Sequence, residues 1–313
     1  MGKKTGIIWT DATVNFWWGC TKVSPACDFC YAEAWDKRTG GAHWGLNAPR
    51  KKIKSAVSLI RRLDREHAEW SRSLSDFGLV DRRRRVFTQS MSDLFDLEAP
   101  VEWFEEAWIE INRARHLSIQ MVTKRISVVE RRIAEIGMST WPQHAGLIIT
   151  VCNQQEADRD IPRLLSLKAR LCIPWVGLSV EPMLGAISLR LWIEDPKQLP
   201  REMRVNDEDK HLINALEGIT TVPACHYQCP TIIPQHDLRD GKIWTSQGKA
   251  SRLGWVICGG ESGAHARDNN FEANARDLLN QCRSAGVPFF GKQNVGKRPL
   301  PADLDVQEFP EAA

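Results

Sequence analysis

Short, near-continuous apolar runs separated by amphipathic stretches constrain this chain more than any other feature. Arg85–Ser90, Leu117–Thr123, Ala145–Cys152, Trp175–Glu181, Trp255–Gly260 and Val287–Gly291 are brief and rich in β-formers. Such runs are expected of parallel strands buried on both faces. Between them lie helical patterns. Val101, Phe104, Ala107, Trp108 and Ile111 share one face, as do Ala273, Ala275, Leu278, Leu279 and Cys282, with Ala285-Gly286 as a C-cap signal. Strands joined through helices predict right-handed crossovers and a parallel sheet. About six such units predict an α/β fold, a partial (β/α)6 TIM-type barrel.

In such a barrel the functional groups gather where the strands end. Polar residues follow the runs at those places: Ser90, Ser92 and Asp93; Thr123, Lys124 and Arg125; Asn153 and Gln154; Glu181; Glu261; Lys292 and Gln293. Each alone reads equally as a loop residue or a helix cap. Gly259-Gly260 lets a backbone come close to a ligand, or forms a plain turn.

Cys20, Cys27 and Cys30 occupy one N-terminal loop with no fourth cysteine beside them. A structural zinc site normally wants four ligands. A four-iron cluster can be held by three thiolates, leaving one iron open to a cofactor. The bland alternatives are a zinc knuckle completed by a distant residue such as His43, or unrelated core cysteines.

These residues resemble the radical S-adenosylmethionine (SAM) enzymes. There, three closely spaced cysteines bind a [4Fe-4S] cluster and an aromatic residue precedes the third, as Phe29 precedes Cys30. Six residues separate Cys20 from Cys27, where three are usual. That wider gap is similar to a narrower group, the phage and bacterial three-Cys-motif radical-SAM-like proteins, a family of unknown function. The likeness continues through Trp9–Thr13, Gly19–Pro25, Gln89–Phe95, Thr123–Arg125, Ser179–Gly185, Trp255–Gly263 and Pro288–Gln293. It implies the radical SAM form of the barrel, a [4Fe-4S] cluster on Cys20, Cys27 and Cys30, and SAM bound at the open iron. It also implies reductive cleavage of SAM to a 5′-deoxyadenosyl radical that abstracts hydrogen from a substrate, fed by an electron donor such as flavodoxin or ferredoxin. Ser90, Ser92 and Asp93 are then expected at the SAM amino end, and Asn153 and Glu181 at the ribose and adenine, with Glu261 also among the cofactor-binding residues. The usual glycine-glycine-glutamate element is missing after the equivalent strand, and Gly259-Gly260-Glu261 comes too late to replace it.

Charge adds an expected partner. The formal net charge of +3 says little. Arg50-Lys51-Lys52-Ile53-Lys54, Arg61-Arg62 and Arg82–Arg85 nevertheless concentrate cations between Arg50 and Arg85, the footprint of a phosphate-backbone binder, expected to be DNA. Solvated helix faces are the plain alternative, since Asp64, Glu66 and Glu69 interleave. Some of the 13 tryptophans could stack on bases. The phage setting of the family points to an isomerase of an amino-acid-adducted thymine in DNA. A non-catalytic or zinc-bound nucleic-acid-binding partner protein is the alternative.

The chain reads as one barrel domain over 1–313 with a loop-rich insertion at 193–253. Cys225, His226 and Cys229 in that insertion are weak evidence for a second metal. An odd count of nine cysteines, no apolar membrane-length run and no signal-peptide core predict a cytoplasmic protein, in the host cell if phage-encoded. A monomer is expected.

Overall fold

The computed structural model describes residues 5–77, 82–193, 211–223, 237–239, 242–247, 251–263 and 265–310, with Asp195 and Lys197. The chain opens with β1 (Ala12–Val14) and β2 (Trp17–Trp18), then α1 (Tyr31–Arg38), β3 (Lys51–Lys52) and α2 (Ala56–Asp76). There follow β4 (Arg84–Thr88), α3 (Val101–Arg113), β5 (Leu117–Thr123), α4 (Val129–Glu135), β6 (Ala145–Thr150), α5 (Gln154–Leu171) and β7 (Val176–Val180). Five short strands come next: β8 (Arg190–Ile193), β9 (His211–Asn214), β10 (Ile219–Pro223), β11 (Asp237–Arg239) and β12 (Lys242–Gln247). β13 (Trp255–Gly259), α6 (Phe271–Ala285) and β14 (Phe289–Gln293) close the fold.

Seven strands form one parallel sheet in the order β1-β4-β5-β6-β7-β13-β14, a half-barrel. This is one strand more than the pattern predicts. β1 has three residues, too short to show as an apolar run. The stretch read as a loop-rich insertion is corrected too. β8 to β12 build a separate five-stranded antiparallel sheet, and its first strand starts at Arg190. Cys225, His226 and Cys229 lie outside the described residues.

Alternate strand residues divide between two apolar layers, as period-two side chains require. Val86, Ile119, Met121, Leu147, Ile149, Val176, Leu178, Val256 and Phe289 join the helices in the large core. Phe87, Ile148, Trp175, Trp255, Ile257 and Phe290 form a second cluster with Trp9 on the opposite face. Trp255 meets Trp9, Trp175 and Phe290 edge-on at 6.1–6.2 Å, the arrangement that ring quadrupoles favour. The C-terminal tail docks there, with Phe309 against Trp255 and Phe290. Continuing along the same residue parity from this aromatic layer reaches Gln89, Thr150, Ser179, Glu181 and Lys292, so the strands end in a polar layer above an apolar floor.

Candidate functional site

The cysteine loop runs from Gly19 to Arg50. Gly19 has φ +105°, and a Cβ there would lie 2.3 Å from the His43 carbonyl, so both backbone sign and space demand glycine. Ser24 caps a 3-10 turn over Pro25–Cys27, its Oγ accepting from the Ala26 amide at 3.1 Å. Cys30 sits at the start of α1.

Three arginines pin this loop from three directions. Arg50 is buried; its Nε donates to Asp96 at 2.7 Å, and its Nη1 donates to the carbonyls of His43, Gly45 and Ala48. Arg125, just past β5, donates from Nη2 to the Thr21 carbonyl at 2.7 Å and lies 3.8 Å from Cys20 Sγ. Arg267, past β13, donates from Nη1 to Asp28 at 3.0 Å and from Nη2 to the Pro25 carbonyl at 3.2 Å. A loop without regular secondary structure leaves carbonyls unpaired, and a guanidinium offers five donors in a rigid fork.

The three thiols face one cavity of about 350 Å³ at the C-terminal ends of the strands. Ser90, Ser92, Asp93, Glu181 and Glu261 line the same cavity, so the structure brings these sequence candidates together with the cysteines. Asn153 is not on it. Its Oδ1 accepts from the Glu156 amide at 2.9 Å and caps α5, the local role that asparagine often takes. Asp93 lines the wall but is occupied: it accepts from Thr123 Oγ1, the Lys124 amide and the Phe95 amide at 2.9–3.0 Å. It joins the ends of two strands rather than presenting free oxygens.

The cavity also holds residues that sequence reasoning did not single out as ligand contacts. Lys292 is ion-paired with Glu181. Lys124, Tyr31 and Gln89 are on the wall. Gln89 Oε1 accepts from the Phe16 amide at 2.6 Å, while Gln89 Nε2 and Trp9 Nε1 are buried without a partner among the described residues. Burial and then the Asp93 carboxylate push the Cys20 thiol up to about 12, against the opposing pull of Arg125. A metal bound through the Cys20 thiolate would therefore have to displace a proton. Gly260 lets the β13 end approach β14, since a Cβ there would lie 2.4 Å from the Val295 amide nitrogen.

Among the described residues, no three His, Cys, Asp or Glu side chains converge on a point suited to a single metal ion. His43 is engaged elsewhere, with Nδ1 2.8 Å from Asp36 Oδ1. A four-iron cube takes each thiolate on a different iron and needs no such convergence. The donor set of three partly buried cysteines lining one cavity fits that group. The leftover donors Gln89 Nε2 and Trp9 Nε1 fit a polar ligand beside it.

The basic stretch looks different once folded. Arg85 is buried against Asp11, and Arg50 against Asp96. Arg61 holds Glu110 through two hydrogen bonds of 2.6 and 2.7 Å. Lys54, Arg62, Arg65 and Arg83 remain exposed. None of these lines the cysteine cavity, whose cations are Lys22, Lys124, Lys292 and Lys297.

A profile of the protein-of-unknown-function family DUF5131 matches residues 4–300. The chain belongs to this family. DUF5131 therefore covers the whole parallel sheet and the cysteine loop. Two solved structures of spore photoproduct lyase are similar to this DUF5131 chain. One, a double mutant with bound AdoMet and dinucleoside spore photoproduct, shares 11% identity over 87% of this chain and 72% of that chain, with a TM-score of 0.35. The other, a single mutant, shares 10% identity over 90% and 76%, with a TM-score of 0.36. No curated protein matches. Among the described residues, no helix is long and apolar enough to cross a membrane.

Proposed function

We propose that this protein is a radical SAM enzyme in which Cys20, Cys27 and Cys30 hold a [4Fe-4S] cluster. The observation that supports it most is the meeting of these three thiols on one cavity at the C-terminal edge of a parallel half-barrel. When bound, such a cluster with one open iron supplies reductive SAM cleavage and a hydrogen-abstracting radical. The protein's part is to hold the loop rigid, orient the ligand and exclude water. Arg50, Arg125 and Arg267 do the first. Ser90 and Ser92 stand at the amino end of the ligand, with Gln89 Nε2 as donor to its carboxylate. The Glu181–Lys292 pair stands on the ribose side. Glu261 serves through Arg267. Phe87, Trp9 and Val122 would give the bound ligand an apolar surface on the cavity wall.

The substrate in this reading is a modified thymine base in phage DNA, and the reaction is an isomerisation that moves an amino-acid attachment from nitrogen to carbon. Such a rearrangement has no easy polar route and suits a carbon-centred radical. Exposed Lys54, Arg62, Arg65 and Arg83 supply phosphate contacts, and a flavodoxin or ferredoxin supplies the electron. The test is anaerobic reconstitution, dithionite reduction and assay of 5′-deoxyadenosine and methionine from SAM. Both products are expected, with turnover rising on DNA that carries the modified base, and DNA affinity falling steeply as salt rises. Absence of 5′-deoxyadenosine from cluster-loaded protein would refute the radical reading. Turnover with a free nucleoside or peptide but no DNA affinity would refute the polyanion alone.

A further inference from the structure

A second cavity, of about 1040 Å³, opens along α1 and shares Lys22, Phe29, Cys30, Tyr31, Ser90 and Lys297 with the cysteine cavity. The two cavities are therefore neighbours, with these residues standing between them. Its walls are unusual for a solvent-facing groove. Phe29, Tyr31 and Trp35 are 44%, 52% and 38% exposed. Trp35 is held edge-on by Trp18 at 4.9 Å and 87°. Phe29 lies under the Arg267 guanidinium at 5.0 Å and beside His265 at 6.1 Å.

The charge on the groove is positive. Lys22, Lys37, Arg38 and Lys297 line it against Asp28 and Glu33. Lys22 and Lys37 share Glu33, and Arg267 holds Asp28. Arg38 and Lys297 make no ion pair among the described residues. Lys297 carries a second signal. It follows Gly296 in a tight turn where both residues have positive φ, +67° and +63°, and the Arg298 amide donates to the Val295 carbonyl. Such a turn favours glycine or asparagine at both places, so a lysine there is strained. Strain of this kind persists where a side chain is needed in that position, and Lys297 stands at the seam of the two cavities.

We propose that this groove binds a single nucleotide strand with an unstacked base, with Trp35 and Phe29 as stacking platforms and Lys297 on a phosphate beside the cysteine cavity. The proposal rests on the nucleic-acid reading above and adds the surface and the form of the strand. Every base offers a π-face to an aromatic wall, but a base inside a duplex has that face covered, so it must leave the stack to be read here.

Fluorescence anisotropy on the full chain at low salt tests this with a labelled thymine-containing single strand and the same strand in a perfect duplex. The single strand is expected to bind tighter. Trp35→Ala should lose about tenfold in affinity for it, Trp35→Phe should keep most of it, and Trp70→Ala, an exposed tryptophan outside both cavities, should change nothing. Lys297→Gly relieves the turn, so it should melt at or above wild type yet bind more weakly, with a log–log salt slope shallower by about 0.7. Because that variant is expected to fold at least as well as wild type, its binding result stands even if Trp35→Ala proves unstable. Wild-type affinity in Lys297→Gly and in a folded Trp35→Ala, or a preference for the perfect duplex, would overturn the groove and leave the nucleic-acid reading intact. Failure of the wild type to bind either form would overturn the nucleic-acid reading itself.

Discussion

Arg267 closes two parallel hydrogen bonds on Glu261, Nε to Oε2 at 2.8 Å and Nη2 to Oε1 at 2.6 Å, while reaching Asp28 and the Pro25 carbonyl with its remaining donors. The pair ties the end of β13 to the turn that carries Cys27. Glu261 is 4% exposed and Arg267 31%, so the partner left behind by a truncation would be a buried carboxylate. Arg267→Ala is expected to cost about 2 kcal/mol in urea unfolding and to reduce iron retention after gel filtration. Arg267→Lys should rescue neither fully, because an ammonium cannot make the fork.

The same pair sets a pH dependence. Burial works against the charged form of Glu261, but the Arg267 hydrogen bonds outweigh it and hold the carboxyl below its ordinary 4.5. A folded-state value below the unfolded one gives stability that is complete above pH 4.5 and lost as pH falls through the folded value. Glu261→Gln should be less stable at neutral pH and show a flatter loss below pH 4.5 than wild type. Parallel acid limbs in the two proteins would count against the assignment.

Cys152 tests which thiols matter. It is buried past the end of β6, close to Ser24 and the Ala26 amide, and burial with Glu156 pushes its thiol up to about 12. It supports the loop from behind and does not line the cavity. Cys152→Ser, Cys172→Ser and Cys282→Ala should keep the cluster, read by visible absorbance and iron content. Cys20→Ala, Cys27→Ala and Cys30→Ala should each abolish it.

The Glu181–Lys292 pair is expected to act on the small-molecule ligand rather than on the loop. Lys292→Met and Glu181→Gln should each weaken SAM binding about tenfold, or roughly 1.4 kcal/mol, in equilibrium dialysis with cluster-loaded protein. Iron content should stay at the wild-type level. Loss of iron together with SAM affinity would place the pair in the scaffold instead.

The sequence carried the sheet well where strands are long and buried on both faces. Leu117–Thr123 is read residue for residue as β5, and Gly286, at φ +63°, ends α6 as its position after Ala285 suggests. It failed where signals are short or shared. β1 is too brief for periodicity, and Asn153 after a strand reads the same whether it binds a ligand or caps a helix. That Cys20, Cys27 and Cys30 share one cavity was legible because their spacing is a local property. The arginines that hold them were not: Arg267 meets Asp28 across 239 positions and Arg125 meets Cys20 across 105, distances over which no pattern in the chain announces a contact. The same blindness placed Arg50 and Arg85 in an exposed phosphate-binding patch, when partners 46 and 74 residues away bury them.

Iron and acid-labile sulfide, measured per chain on protein purified and reconstituted without oxygen, test the central claim most directly. The account predicts a brown protein with about four irons and four sulfides, both lost in Cys27→Ala. A colourless protein that carries stoichiometric zinc after the same treatment would contradict it and favour a metal-bound nucleic-acid-binding protein in its place.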